Sequence, residues 1–201
     1  LVVVGGVAGG ASAAARARRL CERCSIVVLD KGPFVSFANC GLPYFVGNVI
    51  REEKDLIVAS PELFKQRFNI DVRTEHEVLA IDRTRHELEV KDLRNGKTYR
   101  EPYTKLVLSP GAAAIVPPLP GVDLPGVFVL RTIPDSRRIR AWIDARHVKR
   151  AAGVGAGPRP GVDVVLGGVA VDVTGPAAAG VFLGATAGSR LGHRVDLRLL
   201  R

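Results

Sequence analysis

Methionine is missing altogether from this 201-residue chain, which holds only three cysteines, one tryptophan and three tyrosines. With no methionine and a strand-like apolar run at its first residue, the natural start is expected upstream of Leu1. Three unevenly spaced cysteines supply no disulfide framework and Leu1 opens no signal-peptide pattern, so a reducing, cytoplasmic setting is expected. The four histidines, His76, His86, His147 and His193, share no metal-ligand spacing, and no metal site is expected. Acidic residues are few: 20 Asp and Glu face 29 Lys and Arg, a formal charge of +9. The sparse aromatics do not interleave with these cations as nucleic-acid stacking requires, which argues against a nucleic-acid partner. The apolar stretch Val173–Gly188 is cut below a comfortable membrane span by Asp172 and Pro176, so no membrane association is expected.

What is present is a nucleotide-fold signature. Leu1-Val2-Val3-Val4 is right for a buried parallel strand, Gly5-Gly6-Val7-Ala8-Gly9-Gly10 follows at once, and Ala11–Leu20 favours a helix. Strand, glycine turn and helix in that order aim a helix N-terminus at a pyrophosphate. Ser25–Asp30 reads as a second strand, and Asp30, twenty residues beyond Gly10, stands where an acid grips a ribose hydroxyl. Val7 occupies the place of the middle glycine in the strict pattern. Ten residues on, Pro33–Ile50 carries no charge and contains Cys40, its one strong nucleophile. Packing as a small hydrophobe is the other use of such a thiol.

Cys21 and Cys24 form a C-x-x-C at the end of the first helix. That is the wrong pole for a thioredoxin-type thiolate, and a zinc site would need a second pair of ligands, so the two are read as incidental. Further along, Ser60-Pro61 caps a helix through Phe68. Asp71–Arg73, Val78–Asp82, Glu87–Leu93 and Lys97–Pro102 alternate like strands, with a hairpin turn at Asn95-Gly96. Leu106–Leu108 and Val127–Leu130 read as further strands. Asp135–Arg146 reads as a helix in which Trp142 packs.

The strings GGVAGGASAAARARRL and SFANCGLPY, with Thr74–Val78, Lys105–Ala112 and Arg131–Asp135, resemble the coenzyme A-disulfide reductase branch of the flavin-dependent pyridine nucleotide-disulfide oxidoreductases, from Leu1 to about Arg150. The fold implied is α/β: a Rossmann-like FAD-binding domain with a parallel sheet plus a small antiparallel β-meander. The resemblance assigns residues 1–150 to the N-terminal part of that domain. It implies FAD held by Gly5, Gly6, Val7, Ala8, Gly9, Gly10, Asp30, Lys31, Ser109, Pro110 and Gly111, with NAD(P)H as co-substrate. It implies Cys40 as the single redox sulfur, with Asn39 and Ser36 as hydrogen-bond donors to the sulfur or to the substrate. The cysteine attacks a disulfide such as CoA disulfide, keeps one half as a mixed disulfide, and is discharged by reducing equivalents passed from NAD(P)H through the flavin. Arg19, then Arg16, are the candidates to meet CoA phosphates; a solvated arginine face is the equal alternative. A homodimer is implied for the full-length family. Phe45, five residues after Cys40, argues against the two-cysteine branch, and the glycine turn has no histidine of the kind seen in peroxidase and water-forming oxidase relatives. The substrate stays open between CoA disulfide, polysulfide and another small disulfide, as does NADH against NADPH. A NADH oxidase relative and a non-catalytic FAD-binding remnant are the alternatives.

Residues 151–201 change character, with no Lys, Glu, Tyr or Trp and much Gly, Ala, Val and Arg. Gly153-x-Gly155 imitates a second nucleotide fingerprint, but Pro158 and Pro160 stand where the third glycine and a helix belong, which argues against a nicotinamide site. An irregular or degenerate tail is expected in place of the NAD(P)H domain, leaving the portion inactive alone. Frame disruption accounts best for its composition; a degenerate nucleotide domain and a membrane-like fusion with glycines at 180, 184 and 188 are the other readings.

Overall fold

A computed structural model describes residues 1–114, 116, 118, 120–148, 150–154 and 179–183. Its elements in chain order are β1 (Val2–Val4), α1 (Gly9–Leu20), β2 (Val27–Asp30), α2 (Leu42–Val46), α3 (Pro61–Phe68), β3 (Asp71–Thr74), β4 (His76–Asp82), β5 (Glu87–Asp92), β6 (Thr98–Pro102), β7 (Leu106–Leu108), β8 (Val127–Val129), α4 (Ile133–Arg146), β9 (Arg150–Val154) and β10 (Ala179–Leu183). They fall into two compact units, Leu1–Ala38 with Ile57–Gly111, and Asn39–Leu56 with Ala112–Arg201.

The first unit is layered around a parallel sheet in the order β3-β2-β1-β7. Side chains of adjacent strand residues point to opposite faces, and both faces are apolar. Val3 and Val28 face one way, toward Ala11 and Ala14 of α1 and Phe64 of α3. Val2, Val27 and Leu29 face the other, against Leu88 and Val90 of the antiparallel sheet β4-β5-β6. Each fully buried valine or leucine contributes roughly 1.5–3 kcal/mol. Alanine on the inner stripe of α1 lets that helix lie close on β1. The expected α/β class, parallel sheet plus β-meander, is the fold observed. Arg73 on β3 ties the two sheets together, bonding Asp71 beside it and both Tyr99 and Glu101 of β6.

Ser60 Oγ accepts from the Leu63 amide, with Pro61 in the first turn, so α3 starts where its cap is read. The hairpin joining β5 and β6 turns at Gly96, with φ +74°. Helix α4 begins two residues earlier than Asp135. The reason is a capping box in which the Asp135 carboxylate accepts from the Thr132 amide and the Thr132 hydroxyl accepts from the Asp135 amide, with Pro134 in the first turn.

In the second unit, α4 buries Ile139 against Val46, Phe128 and Leu130. Trp142 packs edge-on to Phe128, as its place in a helix implies, and its indole lies over Gly126, whose φ is +97°. Among the described residues of the tail, β10 pairs in parallel with both β8 and β9. Within the apolar stretch 173–188, residues 179–183 are a strand. The Gly155, Pro158 and Pro160 positions lie outside the described residues. Among those described, no helix is long and apolar enough to cross a membrane.

Candidate functional site

In the first unit the glycine turn sits where three strands end. The Gly5 amide donates to the Leu29 carbonyl and the Ser109 amide to the Val4 carbonyl, at 2.8 Å each. Gly5 has φ +93°, a conformation that a side chain disfavours, and a Cβ there would run into the Ser109 carbonyl. Around Gly9 a Cβ would lie 2.5 Å from Ser109 Oγ, and at Gly6 one would lie 2.7 Å from a Val35 methyl. A Cβ on Gly10 would meet the Gly5 carbonyl. Ser109, at the end of β7, is thus packed against the turn. Val7 is half-buried, while Ala8, Pro110 and Gly111 are exposed.

Helix α1 opens from this turn. No side chain caps its N-terminus and no acid lies in its first turn. That leaves the positive end of a twelve-residue helix suited to an anion.

Asp30 closes the other side. Its carboxylate accepts from the Gly6 amide at 2.6 Å and from the Gly32 amide at 2.7 Å. Burial pushes its carboxyl above the usual carboxylate range, and the two amides only partly oppose that. Lys31 beside it is exposed and ion-paired with Glu77.

Ser36 lies in the same unit. Its φ is +45°, in the left-handed region, and it is held there from both sides: its amide donates to the Gly6 carbonyl, and its carbonyl accepts from the Val58 and Ala59 amides. Gly6 is therefore gripped by Asp30 through its N–H and by Ser36 through its C=O.

Asn39 and Cys40 belong to the second unit, in a short 3-10 turn, Asn39–Gly41, that runs into α2. Cys40 is exposed and is the free cysteine of the chain. Asn39 Oδ1 is buried without a hydrogen-bond partner. Such an atom costs about 1–3 kcal/mol unless a ligand satisfies it. Helix α4 secures the segment that follows. Arg140 stacks on the Phe45 ring, 4.3 Å from its centroid, and donates to the Arg51 carbonyl and to Asn48 Oδ1. One turn earlier, Arg137 pairs with Glu53.

Three features escaped the sequence. Cys21 and Cys24, read as incidental, are joined in a disulfide, so the expectation of no disulfide is corrected. Where α1 ends, the chain doubles back and brings the two α-carbons to 5.5 Å, within bridging range. Arg18 is a clamp that donates to the carbonyls of Cys21, Glu22, Phe68 and Asn69. The helical period did carry that signal, since Ala11, Ala14 and Arg18 fall on one stripe. Arg16 and Arg19 lie on the exposed face. The arginine grip of α4 on residues 45–53 had no local signal, because those partners are about 90 residues apart.

The glycine cradle, the uncapped helix start and Asp30 fit a dinucleotide, and the orphaned Asn39 oxygen is an acceptor held ready in the cysteine turn. Among the described residues no group of histidine, cysteine and carboxylate side chains gathers to hold a metal.

Comparison with known proteins agrees with this chemistry. Residues 1–165 match the family model described as pyridine nucleotide-disulphide oxidoreductase. A coenzyme A disulfide reductase of Staphylococcus haemolyticus is 41% identical over 157 residues, which are 78% of this chain and 35% of that protein. Reduced Bacillus anthracis CoADR-RHD superposes with a TM-score of 0.75 at 46% identity, over 78% of this chain and 28% of that one. An NAD-dependent persulfide reductase of A. fulgidus follows at 0.71 and 36%, over 78% and 29%. The chain thus spans about a third of the curated relatives it matches.

Proposed function

The chain belongs to the pyridine nucleotide-disulphide oxidoreductases, and on that premise we propose that it is the N-terminal portion of an FAD-dependent NAD(P)H:disulfide oxidoreductase acting through Cys40. The observation that carries the reading is that Cys21 and Cys24 are joined to each other, which leaves the exposed Cys40 as the one free thiol.

The substrate class is a low-molecular-weight disulfide, with CoA disulfide favoured by the relatives' names. Gly5, Gly6, Gly9 and Gly10, with Val7 and Ala8 between them, shape the backbone against the pyrophosphate, and the start of α1 supplies amides to its charge. Asp30 accepts the adenosine ribose hydroxyls, Lys31 stands beside it, and Ser109, Pro110 and Gly111 form the wall packed on the turn. Bound FAD supplies the relay that carries two electrons from NAD(P)H to sulfur.

At Cys40 the thiolate attacks one sulfur of the disulfide, forming a new S–S bond while the second thiolate leaves. Asn39 beside Cys40 hydrogen-bonds the disulfide substrate, and Ser36 orders the loop that precedes the cysteine turn in the chain. Arg19 and Arg16, exposed on α1, attract the phosphates of a CoA-type substrate. The fold divides functionally into an FAD-binding part over residues 1–150 and a tail, 151–201, in the place of the NAD(P)H domain. The protein acts in the cytoplasm, and the full-length protein acts as a homodimer.

A second reading follows from length. Because the chain spans 35% of the relative it matches, it also fits a flavin-binding remnant without turnover. The purified chain is loaded with FAD, and its visible spectrum is followed while NADPH and CoA disulfide are added. Bleaching with thiol release, lost in Cys40→Ser with the yellow colour kept, supports the enzyme. Yellow protein that is neither bleached by NADPH nor able to release thiol from CoA disulfide supports the remnant, and a colourless protein refutes the flavin site.

A further inference from the structure

The Cys21–Cys24 disulfide has no part in the chemistry of Cys40. It closes the turn that follows α1, with Cys24 exposed and Cys21 half-buried. The turn does not depend on the sulfur bond for its shape. Arg18 holds the Cys21 and Glu22 carbonyls and, with the rest of its guanidinium, the Phe68 and Asn69 carbonyls that end α3. The Cys21 amide is also bonded, to the Ala17 carbonyl. Opening the S–S bond therefore leaves the backbone of the turn in place, the condition for a disulfide that cycles rather than one that staples a fold. The surroundings are cationic: Arg16, Arg19 and Arg23 are exposed, and Glu22 is the sole acid between Arg16 and Ile26. Cationic neighbours favour thiolates and draw in anions.

We propose that Cys21 and Cys24 form a surface dithiol–disulfide pair that exchanges with anionic low-molecular-weight thiols, a redox modification site distinct in its chemistry from Cys40. An external thiolate attacks the exposed Cys24 sulfur; the S–S bond breaks and Cys21 leaves as a thiolate. A second external thiol then attacks the outer sulfur of the mixed disulfide, releasing Cys24. The balance is one protein disulfide and two thiols giving one protein dithiol and one small disulfide. Two electrons enter the protein, and the two thiol protons end on Cys21 and Cys24. The helix pole is unfavourable to thiolate, and Arg23, exposed and next to Cys24 in the chain, is the neighbouring cation that opposes it.

The test is alkylation of the intact chain with peptide mapping. In air-equilibrated buffer, iodoacetamide should label Cys40 and spare Cys21 and Cys24. Across a series of glutathione and glutathione disulfide mixtures, Cys21 and Cys24 should gain label together while Cys40 is scored separately, so this proposal and the Cys40 reading fail independently. Cys24→Ser should leave Cys21 carrying one glutathione. At low salt, glutathione should outpace the cationic thiol cysteamine roughly tenfold at equal thiolate concentration, and added salt should narrow the gap. Label on both cysteines in air-equilibrated buffer, no label in any mixture, or equal rates for the two thiols would overturn the proposal.

Discussion

Glycine to alanine inside a helix ordinarily stabilises a protein by about 0.8–1.0 kcal/mol. At Gly10, in the first turn of α1, the opposite is expected. Its backbone has no positive φ, so conformational strain plays no part and the effect is steric. The added Cβ would run into the Gly5 carbonyl and lie 2.9 Å from a Val3 methyl of β1. The first obstacle is backbone, and it belongs to the turn that would cradle the pyrophosphate. Overpacking of a filled site costs about 1–3 kcal/mol, and the upper end applies where backbone rather than a side chain must move. Set against the propensity gain, Gly10→Ala should lose about 2 kcal/mol. For a chain of this length that is about 4–8 °C in Tm. Thermal melting with and without FAD checks both consequences, since the displaced turn should also bind flavin more weakly. A Gly10→Ala protein that melts at or above the wild-type temperature and retains its flavin would refute the steric account.

Gly96→Ala is the converse case, with nothing within 4 Å of the added Cβ but a φ of +74°; urea melts should show a loss of about 1–2 kcal/mol with flavin binding unchanged. Asp30→Asn should weaken FAD binding by about 2 kcal/mol, or some thirtyfold by fluorescence titration, because a charged acceptor is lost. Its effect on stability should run the other way. The carboxyl of Asp30 is raised by burial in the folded protein. Its favourable contribution is then fully present below the unfolded value and is lost as pH rises through the raised one. The melting advantage of Asp30→Asn over wild type should therefore grow from acid to neutral pH, and a shrinking advantage would contradict the buried charge. Arg140→Met removes a cation–π contact and two hydrogen bonds behind the cysteine turn. It should cost roughly 1–3 kcal/mol in urea melts and change the rate at which Cys40 is alkylated; an unaltered rate would detach Arg140 from the cysteine.

Most of the first unit was legible because local rules and the tertiary structure agree there. Val2–Val4 is buried on both faces, as an unbroken apolar run implies, Ser60-Pro61 caps as read, and Gly5 takes the positive φ that its turn demands. Asp30 was legible as an acid at a strand end, but its use as an acceptor for the Gly6 and Gly32 amides depends on how the following loop folds back. Cys40 reads as a candidate nucleophile by residue type, and the structure leaves it free and exposed. What holds its turn was not legible, because Arg137 and Arg140 meet Glu53, Asn48 and Arg51 across about 90 residues. Helix polarity alone makes the C-x-x-C look incidental, whereas its pairing depends on chain geometry. The two α-carbons are brought within reach by the turn that Arg18 clamps, a contact between α1 and the end of α3 that no local pattern contains. In the tail, proline placement argued against a helix, yet β9 and β10 still pair, since Ala-, Gly- and Val-rich segments need only a neighbouring strand edge.

The central claim is that Cys40 is the sulfur that attacks a disulfide, and its first half-reaction needs neither NADPH nor the rest of a longer chain. The chain is mixed with CoA disulfide in the absence of any reductant, the released CoA is quantified, and the protein is mapped by mass spectrometry. The account predicts one CoA released per chain and one CoA joined to Cys40, with neither event in Cys40→Ser. CoA release that persists in Cys40→Ser, or a wild-type chain that carries no adduct on Cys40, would contradict it.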